Sequence, residues 1–132
     1  MRQEEGTVLP LVGGLAFVAL VVLGLVTDVA LLHGTYRRTA LAADAAAEAG
    51  AAMLDPLAVY EAQVSVSPDD AEAAVRWAIR LSDLDLSVVA VDVIRDQVCV
   101  AVATTHRTAM LVAVGLRDVA VEVRSCAHAA VG

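Results

Sequence analysis

Lysine is absent from this chain. Nine arginines face sixteen acidic residues, for a formal net charge of −7. A balance this acidic excludes the positive footprint of a nucleic-acid binder. Aromatic residues make up only 3% of the 132 positions, so the apolar content rests on Ala, Val and Leu. No proline occurs between Leu11 and Asp55, which removes the commonest interruption of a helix. The motifs of catalysis are missing too. There is no P-loop, Gly-x-Ser-x-Gly, His-Glu-x-x-His or convincing triad. The chain is therefore read as a non-enzyme, with no catalytic residue, metal ligand set, cofactor or small-molecule substrate assigned.

What is present is grease. The apolar fraction is 59% and the mean hydropathy is +0.72, beyond an ordinary soluble domain. From Val8 to Val26 no residue is charged. At about 1.5 Å per residue this run covers roughly 28 Å, one hydrocarbon core. Pro10 sits in its first turn, where a missing N–H costs little. The expectation is a single membrane span. A cleaved secretory signal fits poorly, because the leading MRQEEG carries Arg2 against Glu4 and Glu5 and the small-residue stretch ALAADA begins only at Ala40. Charge does not settle orientation. Arg37 and Arg38 favour a cytoplasmic C-terminal side, but they lie well past the span, and the downstream cysteines argue the other way. Asp28 stands where the apolar run stops. It reads as an intramembrane acid, as a marker of the hydrocarbon edge, or as the partner of a neighbouring subunit. His33 reads as an interfacial side chain.

Beyond the span the composition turns to alanine, the strongest helix former. One helix of about 45 residues is expected, with Gly34 and Gly50 as places where it bends or ends. Val29, Leu32, Tyr36, Ala40, Ala43, Ala47 and Leu54 recur at helical steps and are expected to form its apolar stripe. Arg37, Asp44, Glu48 and Asp55 share a wetter face. Gly13, Gly14, Gly24, Asp28, Tyr36, Ala43 and Ala47 are the candidates for close helix–helix packing.

The ordered series of an apolar span, Asp28, Tyr36-Arg37-Arg38 and the Ala-Ala-Asp-Ala-Ala-Ala run around Asp44, followed by Gly50-Ala51, resembles the N-terminal region of the TadE/TadG-like proteins of Flp (tight adherence) pilus assembly. The match includes Gly6 at the membrane edge and Ala45 to Ala47, and covers about a third of the chain well. The resemblance implies a non-catalytic, pilin-like minor component of a Tad-type pilus or secretion apparatus. It would be single-pass in the inner membrane, with its C-terminal domain extracytoplasmic and with other single-span pilin-like proteins as partners. It would also make Gly6 a candidate prepilin cleavage point. One position departs from the pattern: Leu11 stands where prepilin-type substrates usually carry a Glu. The alternative of another class is a stand-alone bitopic membrane protein whose outer domain binds a partner or ligand.

Three segments follow from this: residues 1–6 as a short leader or cytoplasmic tail, 7–55 as the span and its continuation, and 56–132 as a small α+β domain. In that domain Ser67-Pro68-Asp69-Asp70 is a helix start. The helix after it turns Ala71, Ala74, Val75, Ala78, Ile79 and Leu81 toward a core, with Trp77 at the margin. Residues 57–66 leave helix tail, loop and short strand open. Three alternating strands follow, carrying Val89, Val91 and Val93, then Val98, Val100 and Val102, then Val119, Val121 and Val123. Arg95-Asp96 turns the first pair into a hairpin, with Asp92 and Asp96 as solvated residues. A helical turn closed by Gly115 links the second pair. The fold class is thus α+β: a long N-terminal helix, spanning the membrane and continuing as an amphipathic alanine-rich helix, plus one helix packed on a three-stranded antiparallel sheet.

If the last two strands are antiparallel with Val102 opposite Val123, Cys99 falls opposite Cys126 on the face away from the valines. A disulfide there would staple the last strand, a contribution of about 2–4 kcal/mol. Two buried free thiols in a reducing compartment are the alternative. A metal site from Cys99, His106, Cys126 and His128 has the wrong spacing for a finger or ribbon.

Overall fold

A computed structural model describes residues 8–61 and 63–130. The proposed leader, with Gly6, lies outside the described residues. The elements are α1 (Val8–Ala51), α2 (Pro56–Tyr60), α3 (Pro68–Leu81), β1 (Ser87–Ile94), β2 (Gln97–Arg107), a 3-10 turn (Leu111–Val114) and β3 (Asp118–His128). The strands form one antiparallel sheet in the order β1-β2-β3. The fold is α+β, as the sequence pattern implies, and α1 runs unbroken through Gly34. The chain divides into two compact units. One contains the described residues up to Gly34 together with Arg107–Val119, and the other contains Thr35–His106 and the chain from Ala120.

The second unit is built on small residues. Ala43, Ala46 and Ala47 on α1 are fully buried, as are Ala71 and Val75 on α3 and Val98, Val100 and Val102 on β2. Alanine contributes little area by itself. Its value is that it lets another element come close. Gly50 shows how close: a Cβ there would lie 2.9 Å from Val75 Cγ2 and 3.0 Å from Val98 Cγ1. Both neighbours are β-branched and stiff at χ1. Gly34, also within α1, has nothing within 4 Å of such a Cβ. A Gly→Ala change in an open helix gains about 0.5–1 kcal/mol of propensity, while overpacking a tight core costs about 1–3 kcal/mol. Gly34→Ala should therefore be neutral or stabilising, and Gly50→Ala destabilising by about 1–2 kcal/mol. Thermal unfolding of the two variants in the same detergent checks the contrast. A Gly50→Ala variant as stable as Gly34→Ala would mean that the α1–α3–β2 contact is looser than described.

Several expectations need correction. Along α1, Val29 and Tyr36 are 56% and 50% exposed, while two polar residues, Asp28 and Thr39, are buried. The Thr39 hydroxyl donates to the Thr35 carbonyl at 2.9 Å, which removes the cost of burying it. Val89 does not join the inner valine row but is 55% exposed. A bulge between Val88 and Ala90 inserts one extra residue, so Val88 faces Val102 while Val91 and Val93 face Val100 and Val98. Ser67 stands at the N-cap of α3 without a side-chain capping bond. Its backbone N–H donates instead to the Met53 carbonyl. Ala71, Val75 and Ile79 are buried as expected, but Leu81 is 68% exposed. Trp77 is exposed as well, beneath the Arg80 guanidinium.

The open segment resolves into α2 and a single antiparallel bridge, Leu54 to Val66. Asp55 caps α2 by accepting from Leu57 N–H at 2.9 Å. Cys99 and Cys126 meet at disulfide distance, with Cα atoms 4.0 Å apart. Asp92 is more than a turn residue, since Arg124 reaches it at 2.9 Å on the same outer face. That pair is half-exposed and contributes at most about 1 kcal/mol.

Candidate functional site

The first unit holds the only carboxylate that is buried among the described residues. Asp28 is 2% exposed, on α1 just past the uncharged run. Its carboxylate accepts three backbone hydrogen bonds from the β2–β3 connection: Ala109 N–H at 2.9 Å to Oδ1, and Met110 N–H at 2.8 Å and Leu111 N–H at 2.7 Å to Oδ2. The reason lies in the connection itself. The 3-10 turn Leu111–Val114 begins here, and the first N–H groups of any helical turn have no partner within it. An anion at that position satisfies them and meets the positive end of the peptide dipoles.

One helical turn earlier, Gly24 forms the other half of the seat. A Cβ on Gly24 would lie 2.7 Å from Met110 Cε and 2.8 Å from Met110 Cγ. The bare glycine backbone is thus a shallow socket for the Met110 side chain. The connection closes on itself behind these contacts. Thr108 donates from its hydroxyl to the Leu116 carbonyl, and its N–H donates to the Arg117 carbonyl at 3.0 Å. Gly115 takes the left-handed conformation with φ 90 and ends the turn. The neighbouring Thr27 donates its hydroxyl to the Leu23 carbonyl at 2.8 Å, within its own helix.

In the second unit, the Asp of the alanine run has a matching role. Asp44 accepts a hydrogen bond from the Ser125 hydroxyl on β3. Thr35 Oγ1 and His106 Nδ1 lie 3.0 Å apart, and His106 Nε2 is buried without a hydrogen-bond partner. His128 is on the surface near Gln97 and Asp96. With both cysteines in the disulfide pair, the four residues of the metal alternative do not form a ligand set. Among the described residues no group of three or more His, Cys, Asp or Glu could hold a metal ion.

The packing candidates divide by place. Gly24 and Asp28 meet the connection, Ala43 and Ala47 are buried in the second unit, and Gly13, Gly14 and Tyr36 face outward. His33 is exposed. Sequence reasoning missed Met110, Ala109 and Leu111 as partners of Asp28. The available signal was a glycine and an acid one turn apart at the end of an apolar run, together with a distant loop whose first N–H groups needed an acceptor. The arrangement ties the β2–β3 connection to α1 through one carboxylate and one glycine. No family model, curated protein or solved structure matches this chain.

Proposed function

We propose that the protein is a pilin-like minor structural component of a Tad/Flp-type pilus or secretion apparatus, non-catalytic and anchored in the inner membrane by α1, with the remainder extracytoplasmic. The observation that carries this reading is the division of labour along one helix. Its first part is long and apolar enough to cross a membrane, with Leu11, Leu15, Phe17 and Leu20 all more than 60% exposed. Its last part is a small-residue surface on which an α+β unit is built. The ordered span, Asp28, Tyr36-Arg37-Arg38 and alanine run support the family assignment. The Cys99–Cys126 pair supports an oxidising compartment outside the cytoplasm. Partners would be other single-span pilin-like proteins packing along the rod, where small residues allow close approach.

Gly14 is the position on which to test this. Among the described residues nothing outside its own helix lies within 4 Å of a Cβ there, so Gly14→Leu is expected to leave the protein's own fold intact. It should still insert in the membrane, but should lose most of its co-purification with small single-span partners after cross-linking in cells. Fusions of alkaline phosphatase and of a cytoplasmic reporter to the C-terminus should show activity only from the phosphatase. Activity only from the cytoplasmic reporter would sink the pilin reading. Correct topology, with co-purification unchanged in Gly14→Leu or absent already in the unaltered protein, would leave a bitopic membrane protein that acts outside such an assembly.

A further inference from the structure

The tip of the β2–β3 connection, Thr108 to Leu116, reads TAMLVAVGL. It carries no charge and is bounded by Arg107 and Arg117. Its large side chains are not gathered into a core: Met110 is 51% exposed, Val114 is 73% and Leu116 is 53%. An apolar tip of this kind needs a cover, and its position in the first unit says which. Met110 sits on Gly24, which lies within the uncharged Val8–Val26 run, two residues before its end. Asp28, which holds the tip's N–H groups, lies two residues beyond that end. Two residues of helix are about 3 Å, so the tip is held at the level where the apolar run stops.

We propose that this tip is a second, monotopic membrane contact, seated at the boundary between acyl chains and headgroups of the bilayer that α1 spans. The proposal rests on reading the apolar run of α1 as the span. At that depth the aqueous edge of the hydrocarbon gives way to a layer that favours apolar side chains shallowly buried. The backbone is prepared for it. The N–H groups of Ala109, Met110 and Leu111 go to Asp28, and those of Ala113, Gly115 and Leu116 go to carbonyls within the tip. A segment with most of its donors already satisfied enters a poorly hydrated layer with much less of the penalty that excludes open loops from lipid. Arg107 and Arg117 stand at the two ends of the tip, where long cationic side chains reach headgroup phosphates. Asp28 then has a defined purpose. It fixes the depth of the tip relative to the span and keeps its own charge out of lipid by spending it on three donors.

Brominated-lipid quenching tests this in the full chain. The protein would be reconstituted in phosphatidylcholine vesicles, with Trp77→Phe as background and one new tryptophan per variant. Phe17→Trp reports the span, Val114→Trp the tip, and Val59→Trp the exposed α2 surface. A span makes Phe17→Trp lose most emission to lipids brominated near the chain ends. The tip in the interface makes Val114→Trp blue-shifted relative to Val59→Trp, with emission lost to lipids brominated near the headgroup. Val59→Trp should remain unquenched. Leu116→Trp repeats the measurement if Val114→Trp fails to fold. If Phe17→Trp is quenched while the tip variants are water-like and unquenched, the tip contact is overturned and the span stands. A blue-shifted but unquenched tip means that protein covers it, which also overturns the proposal. An unquenched Phe17→Trp removes the span reading and the tip contact with it.

Discussion

Asp28→Ala is expected to release the Thr108–Leu116 tip while leaving the sheet formed. Each hydrogen bond to an ionised group contributes about 1.5–3 kcal/mol. Three bonds to one carboxylate are not additive, so the loss should be about 3–5 kcal/mol, expressed locally rather than as global unfolding. At about 1.4 kcal/mol per factor of ten, amide exchange at Ala109, Met110 and Leu111 should accelerate by roughly two to four orders of magnitude. The sharper variant is Asp28→Asn, which keeps the shape. The carboxylate presents an acceptor at both oxygens, with Ala109 on one and Met110 and Leu111 on the other. An amide has one oxygen and one NH₂. Whichever way it turns, a donor faces a donor. Asparagine should therefore recover little of the loss. Exchange in Asp28→Asn matching the unaltered protein would show that the three N–H groups have another acceptor.

Breaking the Cys99–Cys126 link should have a comparable effect on the other unit. The cysteines are 27 residues apart in sequence. Loop-closure entropy for a link of that length corresponds to about 3.5 kcal/mol. For a unit of this size each kcal/mol moves the midpoint by about 4–8 °C, so Cys99→Ala with Cys126→Ala should lower it by on the order of 15–25 °C. The loss should begin at β3. The β1–β2 hairpin keeps a short local connection, whereas β3 is joined to β2 through the long tip. Hydrogen exchange should therefore rise first over Asp118–His128 and only later over Ser87–Ile94. Equal stability of oxidised and reduced protein would mean that β3 is held by the valine face and the Asp44–Ser125 hydrogen bond alone.

Much of this architecture was legible because it is local. The absence of proline and the wealth of alanine make α1 continuous. Pro68 with two following acids starts α3, and Arg95-Asp96 closes the hairpin. Strand parity carried further than propensity. Val102 opposite Val123 obliges Cys99 to face Cys126, because side chains alternate with period two, and the two cysteines do meet. The same parity failed in β1 as soon as a bulge added one residue, since no property of Val88 or Val89 announces which of two valines will be doubled.

By itself, then, the sequence determined the long helix, α3, the three strands, the apolar run and the cysteine pairing. Only the tertiary structure decided which face of α1 is buried and what Asp28 does. Alanine is nearly neutral in hydrophobic patterning, so the buried face was chosen by how closely Val75 and Val98 approach Gly50, not by the larger Val29 and Tyr36. The partners of Asp28 lie more than 80 residues away in the chain. They are backbone N–H groups, which every residue except proline carries, and nothing in the side-chain code marks three of them as waiting for a carboxylate until folding sets the 3-10 turn against Asp28.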